Sequence, residues 1–576
     1  MKKSYLCILL LGISTLVACS QDDMQEQEVS NNVATSARIA NGKIPFTVEN
    51  VQNALPIVLR YYDSYNPTVS QKFRNYKVEP THVYYKFTPA DSLQYSLLMS
   101  YDEQLGLTTQ PFEHEIIERK DDPSDTEIGT FYAIASIDQK IPEVPTQKIA
   151  ELHFTDEDKL EDVPSNYDEV EFKQNLMYQA RKQAGHLDDE ELKEGYMSYK
   201  EGINDKANGD QRTTYGLFGK KWRPSGNVYV EEDIVRTNNS RNFHTEPVKR
   251  ARVNVLKWGW LQIEHGTTNH DGYFTTGTTY TKNVNYVVKF KHDYVTVKDG
   301  NFFDTASWFS WSCNRTALNI TFTRANYENY QFFALVHNAS FDYYDRCLDQ
   351  YDLHDPGNLN ITAQINGSGS NATAQWYPFN SAIRVSKKGN NIYRGSDGIY
   401  STTVHELTHC GHRKMDPGMF SLFHLGNKER LVITESWADG VETILTNDRY
   451  ISMFASEGYG NYRSTNSFNE DVLIRTWNGI KQNRTQEEMN AYTPLVADLV
   501  DNFNQRTQLG NNALPNDLVS GYTLGEIQSA LDNSRTFEQW KTKLENNYNN
   551  NTEVFLNNVF DYAIFSMYNH QNWPNN

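Results

Sequence analysis

Apolar and polar positions divide this chain into stretches of different character. Residues 5–18 are almost uninterruptedly apolar behind Met1-Lys2-Lys3, a run too short to remain as a bilayer-spanning helix and shaped like a secretory signal. Residues 20–42 offer almost nothing to bury and carry Asp22, Asp23, Glu26 and Glu28, so residues 19–44 read as a flexible acidic tether. Residues 81–87 and 129–135 are rich in β-branched and aromatic side chains, which predicts strands, and acidic, helix-favouring runs such as residues 167–206 lie between and after them. These make an α+β module over residues 45–210.

From Gly226 the pattern shortens to alternating runs, Val228-Tyr229-Val230, Ala251-Arg252-Val253-Asn254-Val255, Leu261-Gln262-Ile263 and Tyr286-Val287-Val288-Lys289-Phe290. Turn residues such as His270-Asp271-Gly272 separate them, which predicts a small β-sandwich over residues 222–300. Residues 301–576 are mostly helical in period. A strand is expected at 317–323, an amphipathic aromatic helix at 324–351 and two further strands at 360–365 and 382–385. The fold class expected is therefore multidomain: an α+β N-terminal module, a small β-sandwich and a mainly helical α+β domain.

Length agrees, since 576 residues exceed what one hydrophobic core usually serves. A formal charge of −19 argues against nucleic acid as a partner and against basic patches on anionic membrane. An aromatic content of 13% with 36 Tyr argues against wholesale disorder. Cysteine is too sparse for a disulfide scaffold: once Cys7 and Cys19 are set aside, Cys313, Cys347 and Cys410 remain, of which Cys313 and Cys347 are the pair to consider in an oxidising compartment.

Leu16-Val17-Ala18-Cys19 resembles the signal-peptidase site of bacterial lipoproteins, which implies a signal peptide over residues 1–18 and a lipid anchor on Cys19 that holds the chain to a membrane. The acidic tether is similar to the leaders of outer-membrane lipoproteins, so the expectation is an outer-membrane location exposed at the cell surface of a Gram-negative bacterium, with the periplasmic face as the alternative. Residues 247–253 followed by Thr267-Thr268-Asn269-His270-Asp271-Gly272-Tyr273-Phe274 resemble the transthyretin-like or carboxypeptidase-regulatory-like repeat, which implies a spacer or docking module. The N-terminal module contains no spacing of residues that carries chemistry, and a structural, docking or inhibitory role is expected of it.

The chemistry lies at His405-Glu406-Leu407-Thr408-His409. On a helix, positions i and i+4 lie one above the other, so both imidazoles can meet one cation, and Glu406 stands where a carboxylate can take a proton from water activated by that cation. The pattern alone arises by chance in about one chain in forty, so its surroundings decide. Downstream, Glu435-Ser436-Trp437-Ala438-Asp439 supplies an acid followed four residues later by another.

With that second unit the chain resembles thermolysin-like gluzincins. The resemblance implies one Zn2+ held by His405, His409 and Glu435, Glu406 as general base, and Asp439 accepting a hydrogen bond that orients a ligand histidine. Glu429 and Glu442 are the other acids that could stand in for Glu435; neither has an acid four residues on. His412 lies about 10 Å along a continuous helix from His405, too far to share its ion. A metzincin would need glycine where His412 stands and histidine where Met415 stands.

Residues Ala372, Thr373, Ala374, Gln375 and Trp376 precede the motif much as an edge strand does in thermolysin-like enzymes, which implies a strand that pairs with an extended substrate. A donor for the developing oxyanion is also required. Tyr450, Tyr459, Tyr462 and His424 all follow the motif, and none stands out. The expectation is zinc-dependent hydrolysis of extracellular proteins, peptides or glycoproteins. The alternative is a surface lipoprotein that binds glycans or peptides through its aromatics around an inactive site.

Overall fold

The computed structural model describes residues 44–109, 111, 128–155, 167–186, 222–237, 242–257, 261–280, 283–300, 304–310, 315–366, 382–389, 392–420, 428–459 and 492–568. The expected signal peptide, the tether, Cys19, Cys313 and the strand at 372–376 lie outside them. Among the described residues no helix is long and apolar enough to cross a membrane.

The described residues before 187 hold both strands and helices. Strand β1 (His82–Phe87) is flanked antiparallel by β2 (Phe131–Ser136) and β3 (Thr146–Leu152). Alternation along β2 sends Phe131, Ala133 and Ala135 to one face and Tyr132 and Ile134 to the other, and both faces are covered. One face packs against α1 (Val48–Tyr65), α2 (Pro67–Phe73) and α5 (Tyr167–Gln183), where Phe73 stacks on Phe172 at 4.1 Å. Helix α1 begins where Thr47 accepts from Asn50 N at 3.1 Å, and it buries Val51, Ala54, Val58 and Tyr62 at helical spacing. The other face packs against α3 (Ser92–Met99) and α4 (Asp102–Leu105).

The alternating runs after residue 222 form two sheets. One orders β11 (Ser307–Phe309), β9 (Asn285–Lys289), β6 (Arg252–Lys257) and β7 (Leu261–Thr267); the other orders β12 (Leu318–Phe322), β4 (Ser225–Arg236) and β5 (Phe243–Pro247), with β8 (Tyr273–Thr275) also on β4. The Thr-to-Phe loop is held from within. Thr268 Oγ1 donates to Val248 O (2.7 Å) and accepts from Ala251 N (2.8 Å). Asn269 Oδ1 accepts from Asp271 N and Tyr273 N, and Phe274 is buried. Gly272 has φ +76° with Val228 O 2.6 Å from where a Cβ would sit, so glycine is required there.

The expected boundary at residue 300 does not divide the structure. β12 lies beyond it yet pairs in parallel with β4, and β10 (Val295–Asp299) pairs in parallel with β13 (Leu359–Gln364), which pairs with β14 (Ala382–Ser386). Helix α6 (Arg324–Asp342), continued by a π turn at Tyr343–Cys347, packs on β4, β10 and β12. A single apolar cluster consequently runs from Val228 to Ala563. The sheets cannot act as a free spacer, because their inner faces are covered by the helices that follow. Cys347 and Cys410 are both buried free thiols, with Cys347 Sγ beside Asp342 and Tyr400.

The N-terminal module is fixed to the β11-β9-β6-β7 sheet by charge. Asp102 on α4 is buried and meets Lys289 of β9 at 3.0 Å and Lys291 at 3.6 Å; Lys289 Nζ also donates to Leu107 O. Arg252 of β6 donates to Glu103 O at 2.6 Å, and Lys298 of β10 to the Tyr95 hydroxyl at 3.0 Å. Burial alone would raise the Asp102 carboxyl, but the Lys289 and Lys291 ammoniums outweigh it and lower the group to about 2.

Asp102→Ala should cost about 3 kcal/mol of stability in urea denaturation at pH 7, because Lys289 would stay buried without its counter-charge. A carboxyl lowered from 3.8 to about 2 contributes stability that is fully present above the unfolded value and is lost as pH falls through the folded one. The difference between wild type and variant should therefore shrink as pH drops from about 4 towards 2.

Candidate metal centre

Helix α7 (Ser396–Met415) carries the histidine motif, and α8 (Lys428–Ser456) packs along it. Its first turn is fixed where Asp233 of β4 accepts from Ser396 N at 2.8 Å. Residues 396–412 are buried except Thr402, so both imidazoles point into protein rather than solvent. Two glycines permit the close packing. A Cβ on Gly411 would lie 2.6 Å from His354 O, and one on Gly440 would lie 2.3 Å from Val496 Cβ on α9 (Leu495–Val500).

The ligand atoms converge. His405 Nε2 and His409 Nε2 are 3.0 Å apart, and the Glu435 carboxylate reaches them at 3.4 and 3.5 Å. Tetrahedral zinc bound at about 2.0–2.1 Å sets its ligand atoms about 3.3 Å from one another, so this triangle has the size of one face of such a site. Burial opposes charge on Glu435, but the two imidazoles hold its carboxyl well below the usual carboxylate range. Burial likewise works against a cationic His405, yet Glu435 and Glu442 raise it to about 10. A proton is thus held on His405 between two carboxylates, and a divalent cation would have to displace it. A buried group of His405, His409 and Glu435, with Glu442 behind, can hold a metal ion.

Glu442, considered from the sequence only as a substitute for Glu435, stands behind His405 instead. Its carboxylate accepts from His405 Nδ1 at 2.8 Å, which fixes Nε2 as the nitrogen facing Glu435. The hydrogen bond expected of Asp439 is made to His405 by the acid three residues farther on; Asp439 is buried within the same group as His405 and Glu442. The signal that could have found it is periodic. Residues i, i+4 and i+7 share one helical face, so Glu435, Asp439 and Glu442 form one acidic stripe opposite the two histidines.

Glu406 is buried on α7 beside His405. His412 is buried against Phe420, with ring centroids 5.1 Å apart, and is kept neutral chiefly by burial, which lowers it to about 3; it stays out of the converging group. Helix α7 continues past it to Met415, so no metzincin-type break occurs. Of the oxyanion donors considered, Tyr450 donates to Glu232 on β4 (2.9 Å), Tyr459 packs on Phe454, and Tyr462 and His424 lie outside the described residues.

Tyr492 was not among them. Its ring lies 6.1 Å from that of His405, its hydroxyl bonds to Glu435, and burial, then Glu435, Glu442 and Glu406, push the phenol well above its ordinary value. It stays a neutral O–H donor at the edge of the metal group. Its distance in sequence from the motif, among 36 Tyr, hid it.

The far half of α8 is anchored separately. Arg449 joins Glu232 and Glu246 on the β4–β5 pair, and Tyr450 donates to Glu232. Compared with known proteins, the chain matches no family model and no curated protein. Glu442→Gln keeps an acceptor oxygen but removes the charge behind His405, so metal affinity should fall about 10- to 100-fold in a chelator competition titration while α-helical circular dichroism is unchanged.

Proposed function

We propose that the chain is a zinc metallopeptidase of gluzincin type. The observation that carries this reading is the meeting of His405 Nε2, His409 Nε2 and the Glu435 carboxylate within 3.0–3.5 Å, one residue from a buried glutamate. Two imidazoles and one carboxylate are the donor set of a catalytic rather than a structural zinc site, which keeps an open position. Zinc there would polarise the scissile carbonyl and acidify the attacking water.

The side chains divide the remaining work. Glu406 removes the proton from the attacking water as its oxygen bonds to the carbonyl carbon, and returns that proton to the amine as the C–N bond breaks. Tyr492 donates its hydroxyl hydrogen to the oxygen that becomes negative. Glu442, with Asp439 beside it, holds the His405 ring in one tautomer and orientation. Substrates would be proteins, peptides or glycoproteins outside the cell, met by an enzyme tethered to the outer membrane through Cys19 and presented on the cell surface. The strand at 372–376 would align the peptide, and the β-sandwich with its transthyretin-like loop would support the catalytic helices.

Metal analysis of the purified mature chain is the first test. About one zinc per chain is expected, lost in His405→Ala and in Glu435→Ala; a chain without stoichiometric zinc, or with zinc indifferent to Glu435, removes the proposal. Given zinc, Glu406→Gln should abolish hydrolysis of protein substrates while retaining the metal. Tyr492→Phe should lower kcat about 100-fold with little change in KM.

A further inference from the structure

From the last turn of α9 onward, residues 498–506 are joined to residues 514–522 by backbone bonds, Tyr522 N to Leu499 O (3.0 Å), Gly521 N to Val500 O (3.1 Å) and Arg506 N to Pro515 O (3.3 Å). Asn504 Nδ2 to Asn516 Oδ1 (3.0 Å) adds a side-chain link. Asp498 meets the charge of both Asp517 and Asp501 and bonds to Gln505, and the four have relative exposures of 1, 3, 6 and 0% in that order.

The acceptors in this pocket outnumber its donors. Asp501 Oδ1 takes Phe503 N and Asp517 Oδ1 takes Val519 N, each at 2.9 Å, and Gln505 Nε2 donates to Asp498 Oδ1. Asp498 Oδ2, Asp517 Oδ2 and Gln505 Oε1 are then left buried with no hydrogen bond among the described residues. No described lysine, arginine or histidine forms an ion pair with Asp498 or Asp517. Burial followed by mutual repulsion raises Asp498 well above the ordinary carboxylate range, and burial is the main cause that takes Asp517 up to about 8.

Such a group needs positive charge. A shared proton would satisfy two carboxylate oxygens; a cation bound by both would also answer the unpartnered amide carbonyl of Gln505. Hard divalent cations of calcium size take six to eight oxygens, mixing carboxylates with amide and main-chain carbonyls in a loop of adaptable geometry. We propose that Asp498, Asp517 and the Gln505 side-chain carbonyl bind a calcium-class divalent cation, with Asp501 adding charge at its edge. The site is distinct from the His405 centre and takes no part in the chemistry. It fixes the C-terminal end of α9, whose opposite end abuts α8 where Thr493 bonds to Ser436 and Val496 covers Gly440.

Equilibrium dialysis of the full mature chain against calcium chloride, in zinc-containing buffer, tests this directly. The expected result is about one calcium per chain and a saturable rise in melting temperature of about 5 °C or more by roughly 1 mM calcium, with zinc content unchanged. Asp498→Asn and Asp517→Asn should lose both the bound calcium and the shift. Wild-type protein that retains no calcium and melts at the same temperature with or without it would overturn the proposal, whatever the variants do. So would variants that bind calcium as wild type does, or that melt higher than wild type without responding to calcium, the behaviour of a proton-sharing pair.

Discussion

Everything at the candidate metal centre depends on how closely α7 and α8 approach. A carboxylate side chain on one helix must touch two imidazoles on the other, which leaves no room for slack between the backbones. Glycine meets that demand at two points, Gly411 against the His354 carbonyl and Gly440 against Val496. The acids add a cost that packing has to carry. Glu406, Asp439 and Glu442 are gathered with Glu435 around two histidines in a buried to part-buried group, where their negative charges outnumber the positive charge that a protonated His405 supplies.

The rest of the molecule reads as a frame for that helix pair. β4 is its hub: Asp233 holds the first turn of α7, while Glu232 holds Arg449 and Tyr450 at the far half of α8. One strand thereby sets the start of one helix and the end of the other. The β12 and β10 pairings carry the same frame across residue 300, so the core of the sheets and the core of the helices are one.

Much of this was legible in the sequence, for reasons that also explain what was not. Strands β1, β2, β4, β6 and β9 and the run that became β12 and α6 announced themselves by period and by β-branched or aromatic content, which are local properties. The His405, His409 and Glu435 group was legible because each residue's spacing is set by one helix or by the resemblance that joins them. Glu442's part behind His405 and Tyr492 as a whole escaped notice because their partners are fixed only when separate elements meet: a rule reading four residues ahead favours Asp439, and no rule links Tyr492 to a motif more than 80 residues earlier. The boundary at 300 failed for a related cause. Alternation marks a strand but does not say which strand it joins, and parallel partners such as β4 and β12 are distant in sequence.

The Asp102 contact changes what a cut in the chain would achieve. The N-terminal module is joined to the later sheets by a buried carboxylate between two ammoniums, by Arg252 on a main-chain carbonyl and by Lys298 on a tyrosine. Severing the backbone between residues 187 and 221 would leave all of these in place. Such a nick would leave two pieces still joined by these contacts, and a shortened gene beginning at residue 222 would encode a protein whose Lys289, Lys291 and Arg252 have lost their partners at this seam.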